Sequence, residues 1–300
     1  MSKNPYFLPD FDPRNFALQL LADTVGIDNI PIDVFSIPEF LEEYGITLEF
    51  SKDKFTDITE YGLTEMSSNN KKCIYFNANF YGNSFDEVKK DDVKRRHCRF
   101  TLAHELGHCT IPTHKDILLQ QELTDSRSIF AKKYSFTKEY EASVFASELL
   151  IPSNTIKNIY EYGKTFKEII DNVSKKYDTS KTASALKAAS LMNDSICICL
   201  MVNPVESKII KVQYSQAFAE YKKGLYLDKN SDIYKGSITN SLIKRGDLGY
   251  NYQKCASPSN WFPNFYGSSE AVLHEWAFSI GGNIITFLEL IDLSEYQLHI

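Results

Sequence analysis

The residues of this chain best suited by type and spacing to do chemistry lie in the run His104-Glu105-Leu106-Gly107-His108. Two histidines four apart on a helix project from one face about one turn apart and can bind a single ion. Glu105, next to the first of them, is angled toward the open side of such a site, where a carboxylate takes a proton from water instead of binding metal. The chemistry is metal-assisted hydrolysis. Zn2+ suits it, because zinc accepts imidazole nitrogen and carboxylate oxygen in a four-coordinate site that keeps one position for water. Phe100, Leu102, Ala103 and Leu106 supply the apolar positions of a buried helix. Two histidines and a glutamate there would carry a heavy desolvation cost unless something such as a metal satisfied them.

A catalytic site of this kind needs a third protein ligand, and the chain offers two sources. His114 completes the spacing of the metzincin class, but Ile111 stands where that class has a glycine for a sharp turn. Pro112 after it makes the turn costlier still. The other source is the helix-like run Lys138 to Leu150. Glu139 and Glu141 are about 200° apart around it, so both cannot face one metal. Glu141 shares a face with Val144, Phe145 and Glu148, whereas Glu139 falls near the expected helix start, where an acid is often only a partner of the dipole. Glu141 is the favoured ligand. Glu139 and Glu148 remain alternatives, with solvated surface as their default reading.

The surrounding elements follow from caps and periodicity. Asp12-Pro13 opens a helix that Gly26 closes, and Ser36-Ile37-Pro38-Glu39 reads as a capping box ahead of a second, stopped at Gly45. Ile46–Phe50 and Cys73–Asn77 read as strands of a small sheet. The mixed-charge run Asp86 to Arg96 predicts a solvated loop leading into the motif helix, which spans about Arg95 to Cys109 and stops before Pro112. Thr137 is the expected cap of the helix Lys138 to Leu150, which ends at Pro152. Helical segments are then expected over Asn154 to Tyr162, Phe166 to Tyr177 and Ser180 to Met192, followed by strands at Ile196 to Val202 and Lys208 to Tyr214.

Three hundred residues, 43% hydrophobic and 13% aromatic, can bury a sizeable core and accommodate about two average domains. A net charge of −6 provides no overall positive field for a nucleic acid backbone. The start, Met1 to Asp10, lacks the apolar run of an export signal, and the most apolar stretches are far short of the roughly 20 residues that span a bilayer. A cytoplasmic protein without membrane contact is expected. Six cysteines (Cys73, Cys98, Cys109, Cys197, Cys199, Cys255) include no CxxC pair, so reduced thiols are the reading.

Two segments carry a family resemblance: Arg99-Phe100-Thr101-Leu102-Ala103-His104-Glu105-Leu106-Gly107-His108, and Glu141-Ala142-Ser143-Val144-Phe145-Ala146-Ser147-Glu148-Leu149-Leu150-Ile151-Pro152. They are similar, in the same order, to the "FTLAHELGH" and "EANxFAxxLLMP" runs of the ImmA/IrrE family of bacterial metallopeptidases. Ser143 stands where the family usually has Asn or Asp, a change that bears on a hydrogen bond behind a ligand. The resemblance implies a zinc (or manganese) endopeptidase with His104, His108 and Glu141 as metal ligands and Glu105 as general base. It also implies a protein substrate, a helix-turn-helix transcriptional repressor whose cleavage releases stress or mobile-element genes. Tyr134, Tyr140 and Arg99 are the expected candidates for oxyanion donor.

The expected fold class is α+β, in three parts. Residues 1–152 form a mainly helical peptidase domain with a small β-sheet, residues 153–193 a helix-turn-helix-like linker, and residues 194–300 a C-terminal α/β domain that looks GAF-like. In the linker, Lys181 and Lys187 are the basic residues on the second helix, fewer than a DNA reader carries, so a structural connector is expected. His274, Trp276 and His299 read as ordinary structure. The competing function is a non-catalytic regulator that binds DNA or a repressor through these helices and keeps the metal as structure.

Overall fold

A computed structural model describes residues 12–42, 45–55, 57, 59–67, 69–115, 129–156, 158–192, 195–221, 224–246 and 253–291, with side chains omitted at 129–136 and 253–255. The chain is mixed α and β and divides into two compact units: Met1–Lys157 with Lys176–Ser180, and Asn158–Lys175 with Lys181–Ile300. Residues 153–193, expected as a separate linker, are shared between these units. Among the described residues, no helix is long and apolar enough to cross a membrane.

The first unit opens with helix α1 (Pro13–Asp23), capped as its sequence predicts: the Asp12 carboxylate accepts from the Arg14 N–H at 3.0 Å. Helix α2 (Ile37–Leu41) follows without the expected capping box, because the Ser36 hydroxyl turns away and donates to Asp33 Oδ2 at 2.7 Å. Strands β1 (Ile46–Ser51), β2 (Gly62–Met66) and β3 (Lys72–Asn77) form a sheet in the order β1-β3-β2, with β1 parallel and β2 antiparallel to β3. The short helices α3 (Ala78–Tyr81) and α4 (Phe85–Lys89) lead to α5 (Asp92–Thr110), the motif helix. The charged run expected as a solvated loop is thus helical: Ser84 Oγ caps α4, and Asp91 caps α5 by accepting from Val93 N and Lys94 N at 2.9 and 3.0 Å.

Helix α6 (Ile129–Leu150) packs against α5. Leu102, Ala103 and Leu106 of α5 and Ala142, Phe145, Ala146 and Leu149 of α6 are all fully buried, each large side chain contributing about 1.5–3 kcal/mol. Gly107 makes the close crossing feasible, since a Cβ there would stand 3.2 Å from the Ala142 backbone. At the opposite end of α5, Asp178 accepts a two-pronged pair of bonds from Arg95 at 2.9 and 3.0 Å and a third from Arg96 at 3.0 Å.

The second unit contains α7 (Phe166–Tyr177, its last two residues belonging to the first unit) and α8 (Lys181–Leu191). The expected helix over Asn154 to Tyr162 is reduced to two 3-10 turns, Ser153–Thr155 and Ile159–Tyr162. Strands β4 (Ile196–Asn203) and β5 (Lys208–Tyr214) come next, then α9 (Gln216–Tyr221), α10 (Ile238–Arg245), β6 (Gln253–Ala256), β7 (Val272–Ile280) and β8 (Asn283–Ile291). The five strands make one antiparallel sheet in the order β5-β4-β8-β7-β6. On it Phe166 stacks over Phe287 at 4.3 Å. Cys197 and Cys199 are fully buried, and burial pushes both thiols up, so they behave as small core residues. Trp276 packs edge-on to His274 and Phe166, as ordinary structure; His299 lies outside the described residues.

Candidate metal centre

Helix α5 aims both motif histidines at one point. His104 Nε2 and His108 Nε2 stand 3.2 Å apart, as their four-residue spacing dictates. The acid that meets them comes from α6 and is Glu139: one carboxylate oxygen is 3.1 Å from His104 Nε2 and the other 3.4 Å from His108 Nε2. A tetrahedral zinc about 2.0–2.1 Å from each ligand sets ligand-to-ligand edges of about 3.3–3.4 Å. The three donors therefore already stand at the spacing of one face of such a tetrahedron, and the residues present fit the ion. Among the described residues, these three form the group whose ligand atoms could share a metal.

Glu141, favoured on sequence as the third ligand, does not face this point. Its carboxylate lies at 3.0 Å from His114 Nε2 and 2.9 Å from Lys138 Nζ. The physical reason lies in the start of α6. Read as beginning at Thr137, the helix leaves Glu139 as a partner of the dipole; in fact it is already running at Ile129, so Glu139 sits well inside it with a side chain free to meet α5. Of the two acids, Glu139 faces the histidine pair and Glu141 does not. Glu148 is also elsewhere, accepting from Ser153 N and Ser153 Oγ at 2.7 and 2.8 Å beyond the end of the helix.

Both imidazoles have a partner on the ring nitrogen away from the centre. Ser143 Oγ is 3.4 Å from His104 Nδ1, at the position where the sequence departs from the resembled pattern. His114 Nδ1 is 2.9 Å from His108 Nδ1, with the His114 ring fully buried. Burial, with the charges of His108 and Lys138 in the metal-free site, pushes His114 down to about 3. Burial would raise the Glu139 carboxyl, but the hydrogen bonds from His104 and His108 hold it well below the usual carboxylate range. It is an anion ready for a cation.

Glu105 lies against the sheet. It is buried, and its Oε2 accepts from Thr64 Oγ1 of β2 at 2.7 Å. Gly62 on the same strand allows this approach, since a Cβ there would stand 2.5 Å from Thr101 Cγ2 and 3.0 Å from Glu105 Oε1. Sequence reading missed Thr64 because β2 lacks the strong alternation of β1 and β3, and its partner lies 41 residues away. Of the proposed oxyanion donors, Arg99 is committed to the carbonyls of Ile32, Tyr177 and Asp178 at 2.8, 3.3 and 3.1 Å. Tyr140 is 54% exposed, and the Tyr134 side chain lies outside the described ones.

A solved structure titled "Mycobacterium tuberculosis transcriptional regulator" shares the fold at a TM-score of 0.54 and 12% identity, over 95% of this chain and 78% of that one. No curated protein matches the chain. The family of M78 peptidases, through its IrrE N-terminal-like domain, matches residues 90–188, a span that takes in α5, the two histidines, Glu105, Glu139 and all of α6. Residues 90–188 are thus similar to the IrrE N-terminal-like domain of the M78 peptidases, a metal-dependent family.

Proposed function

We propose that this protein is a zinc-dependent endopeptidase in which His104, His108 and Glu139 hold the ion and Glu105 is the general base. The observation that carries the reading is the convergence of three donors at 3.1, 3.2 and 3.4 Å. Zinc, when bound, would supply a Lewis acid for the scissile carbonyl and for water. Glu105 takes the proton of the attacking water and returns it to the leaving amine nitrogen. Thr64 fixes one oxygen of that carboxylate, leaving the other to exchange the proton. Ser143 and His114 orient the two imidazoles from behind.

The proposed substrate is a helix-turn-helix transcriptional repressor, and the proposed outcome is release of stress or mobile-element genes in the cytoplasm. Support comes from the resemblance to the ImmA/IrrE family and, at fold level, from a solved neighbour titled a transcriptional regulator. The antiparallel sheet of the second unit, flanked by helices, is in line with a GAF-like sensor part. The alternative, a regulator with a purely structural metal, needs a fourth protein ligand. Its nearest source, His114, instead turns Nδ1 toward His108 and Nε2 toward Glu141. Co-expression of a helix-turn-helix repressor with the chain and with Glu105→Gln tests the function. Cleavage by the first and not the second is expected; cleavage retained by Glu105→Gln overturns the assigned base.

A further inference from the structure

Behind His108 lies a line of buried polar groups that the proposed reaction does not use. His108 Nδ1 meets His114 Nδ1 at 2.9 Å, His114 Nε2 meets Glu141 Oε2 at 3.0 Å, and Glu141 Oε2 also meets Lys138 Nζ at 2.9 Å. Lys138 Nζ in turn donates to Thr113 Oγ1 at 2.7 Å. His114 is fully buried, and Lys138 and Glu141 are 6% and 7% exposed.

The direction of these bonds is fixed by chemistry. An ammonium only donates and a carboxylate only accepts, so Lys138 and His114 Nε2–H both donate to Glu141. With a metal on His108 Nε2 the hydrogen of that ring sits on Nδ1, and His114, which donates from Nε2 to Glu141, is placed to accept it on Nδ1. The same bond holds the His108 ring so that Nε2, which stands 3.2 Å from His104 Nε2 and 3.4 Å from Glu139, faces the site.

On the reading of His104, His108 and Glu139 as the metal site, the geometry points to His114 as a positioning residue. Anchored by Glu141 and Lys138, it locks His108 in the tautomer whose Nε2 binds metal and strengthens that bond. A ligand imidazole commonly donates its second N–H to a carboxylate or carbonyl. Here a second imidazole is inserted between the ligand and the carboxylate. This gives Glu141 and His114, both considered as ligands on sequence, a role one bond removed from the metal.

The test uses the full chain and zinc chloride alone, with affinity read by competition against a chromophoric chelator and the Co2+-substituted visible spectrum as a second readout. His114→Leu removes the acceptor, whereas His114→Asn keeps an acceptor oxygen near the place of Nδ1. His114→Leu should weaken zinc binding by about 10- to 100-fold and change the Co2+ spectrum, and His114→Asn should recover affinity to within about threefold. Should His114→Leu not fold, Glu141→Gln decides: weaker zinc binding supports the relay and unchanged binding overturns it. Equal weakening by His114→Leu and His114→Asn also overturns it, because the ring would then be only filling space. Glu139→Gln separates the two claims. If it abolishes binding while His114→Leu and Glu141→Gln leave binding intact, the relay fails and the metal site stands; if it too binds like the unsubstituted chain, both fail.

Discussion

Thr64 Oγ1 and Glu105 Oε2 lie 2.7 Å apart, joining a hydroxyl of strand β2 to the motif glutamate of helix α5. Both residues are buried, at 3% and 7% exposure, so the bond forms where water cannot replace it. Thr64→Val should leave the Glu105 carboxylate short of a donor and destabilise the metal-free chain by about 1–3 kcal/mol, measured by urea unfolding. It should also lower the turnover of repressor cleavage by about tenfold, with a smaller change in KM, because the base loses its orientation. Glu105→Gln should lower turnover by about 100-fold or more.

Glu139→Gln and Glu141→Gln differ by one atom type at positions two residues apart, yet they should behave differently. With the carboxylate of Glu139 at 3.1 and 3.4 Å from the paired imidazoles, its amide should reduce zinc stoichiometry on gel-filtered protein to near zero. Glu141→Gln should retain zinc near one per chain at saturating metal, with weaker affinity. Metal analysis by mass spectrometry after dialysis against zinc checks both.

Gly62 lies where β2 meets the motif helix, and a Cβ there would stand 2.5 Å from Thr101 Cγ2. Gly62→Ala must therefore push the strand from the helix or displace Thr101 and Glu105. A loss of about 1–3 kcal/mol in unfolding free energy is expected, and turnover should fall with it. Full activity and wild-type stability in Gly62→Ala would show that the strand does not seat the base.

Asp178 sets the acid limit of the first unit. Burial alone would raise its carboxyl, but hydrogen bonds from Arg95 and Arg96 and the charge of Arg99 hold it down at about 2. A carboxyl whose pKa is lower in the folded state than in the unfolded chain contributes its full stability above the unfolded value, about 3.9, and loses it as pH falls toward the folded one. Stability should thus drop by roughly 1–2 kcal/mol between about pH 4 and pH 2, a figure reduced for the partial exposure of the cluster. Asp178→Asn, which tolerates the positive φ of 48° at this position, should lower stability at pH 7 and flatten that acid slope. Denaturant unfolding of both chains across pH 2–7 measures it.

Local signals made much of the fold legible in the sequence. Asp12-Pro13 capped α1 as read, β1 and β3 fell where alternation put them, and α7 ran from Phe166 to Tyr177 as periodicity predicted. The spacing of His104 and His108 carried the meeting of the two imidazoles directly. Contacts between distant segments were not legible. β2 gave no strand pattern, so Thr64 was invisible. Charges over Asp86 to Arg96 suggested solvent, whereas capping by Ser84 and Asp91 makes two helices there. The choice between Glu139 and Glu141 rested on where α6 begins, and a threonine in mid-helix looked like a cap.

Diffraction from zinc-soaked crystals, with anomalous differences collected on both sides of the zinc edge, tests the site most directly. A single peak about 2.0–2.2 Å from His104 Nε2, His108 Nε2 and a Glu139 carboxylate oxygen, with a fourth position held by solvent, is the predicted result. A peak ligated by Glu141 or His114, or one closed by four protein ligands, would contradict it.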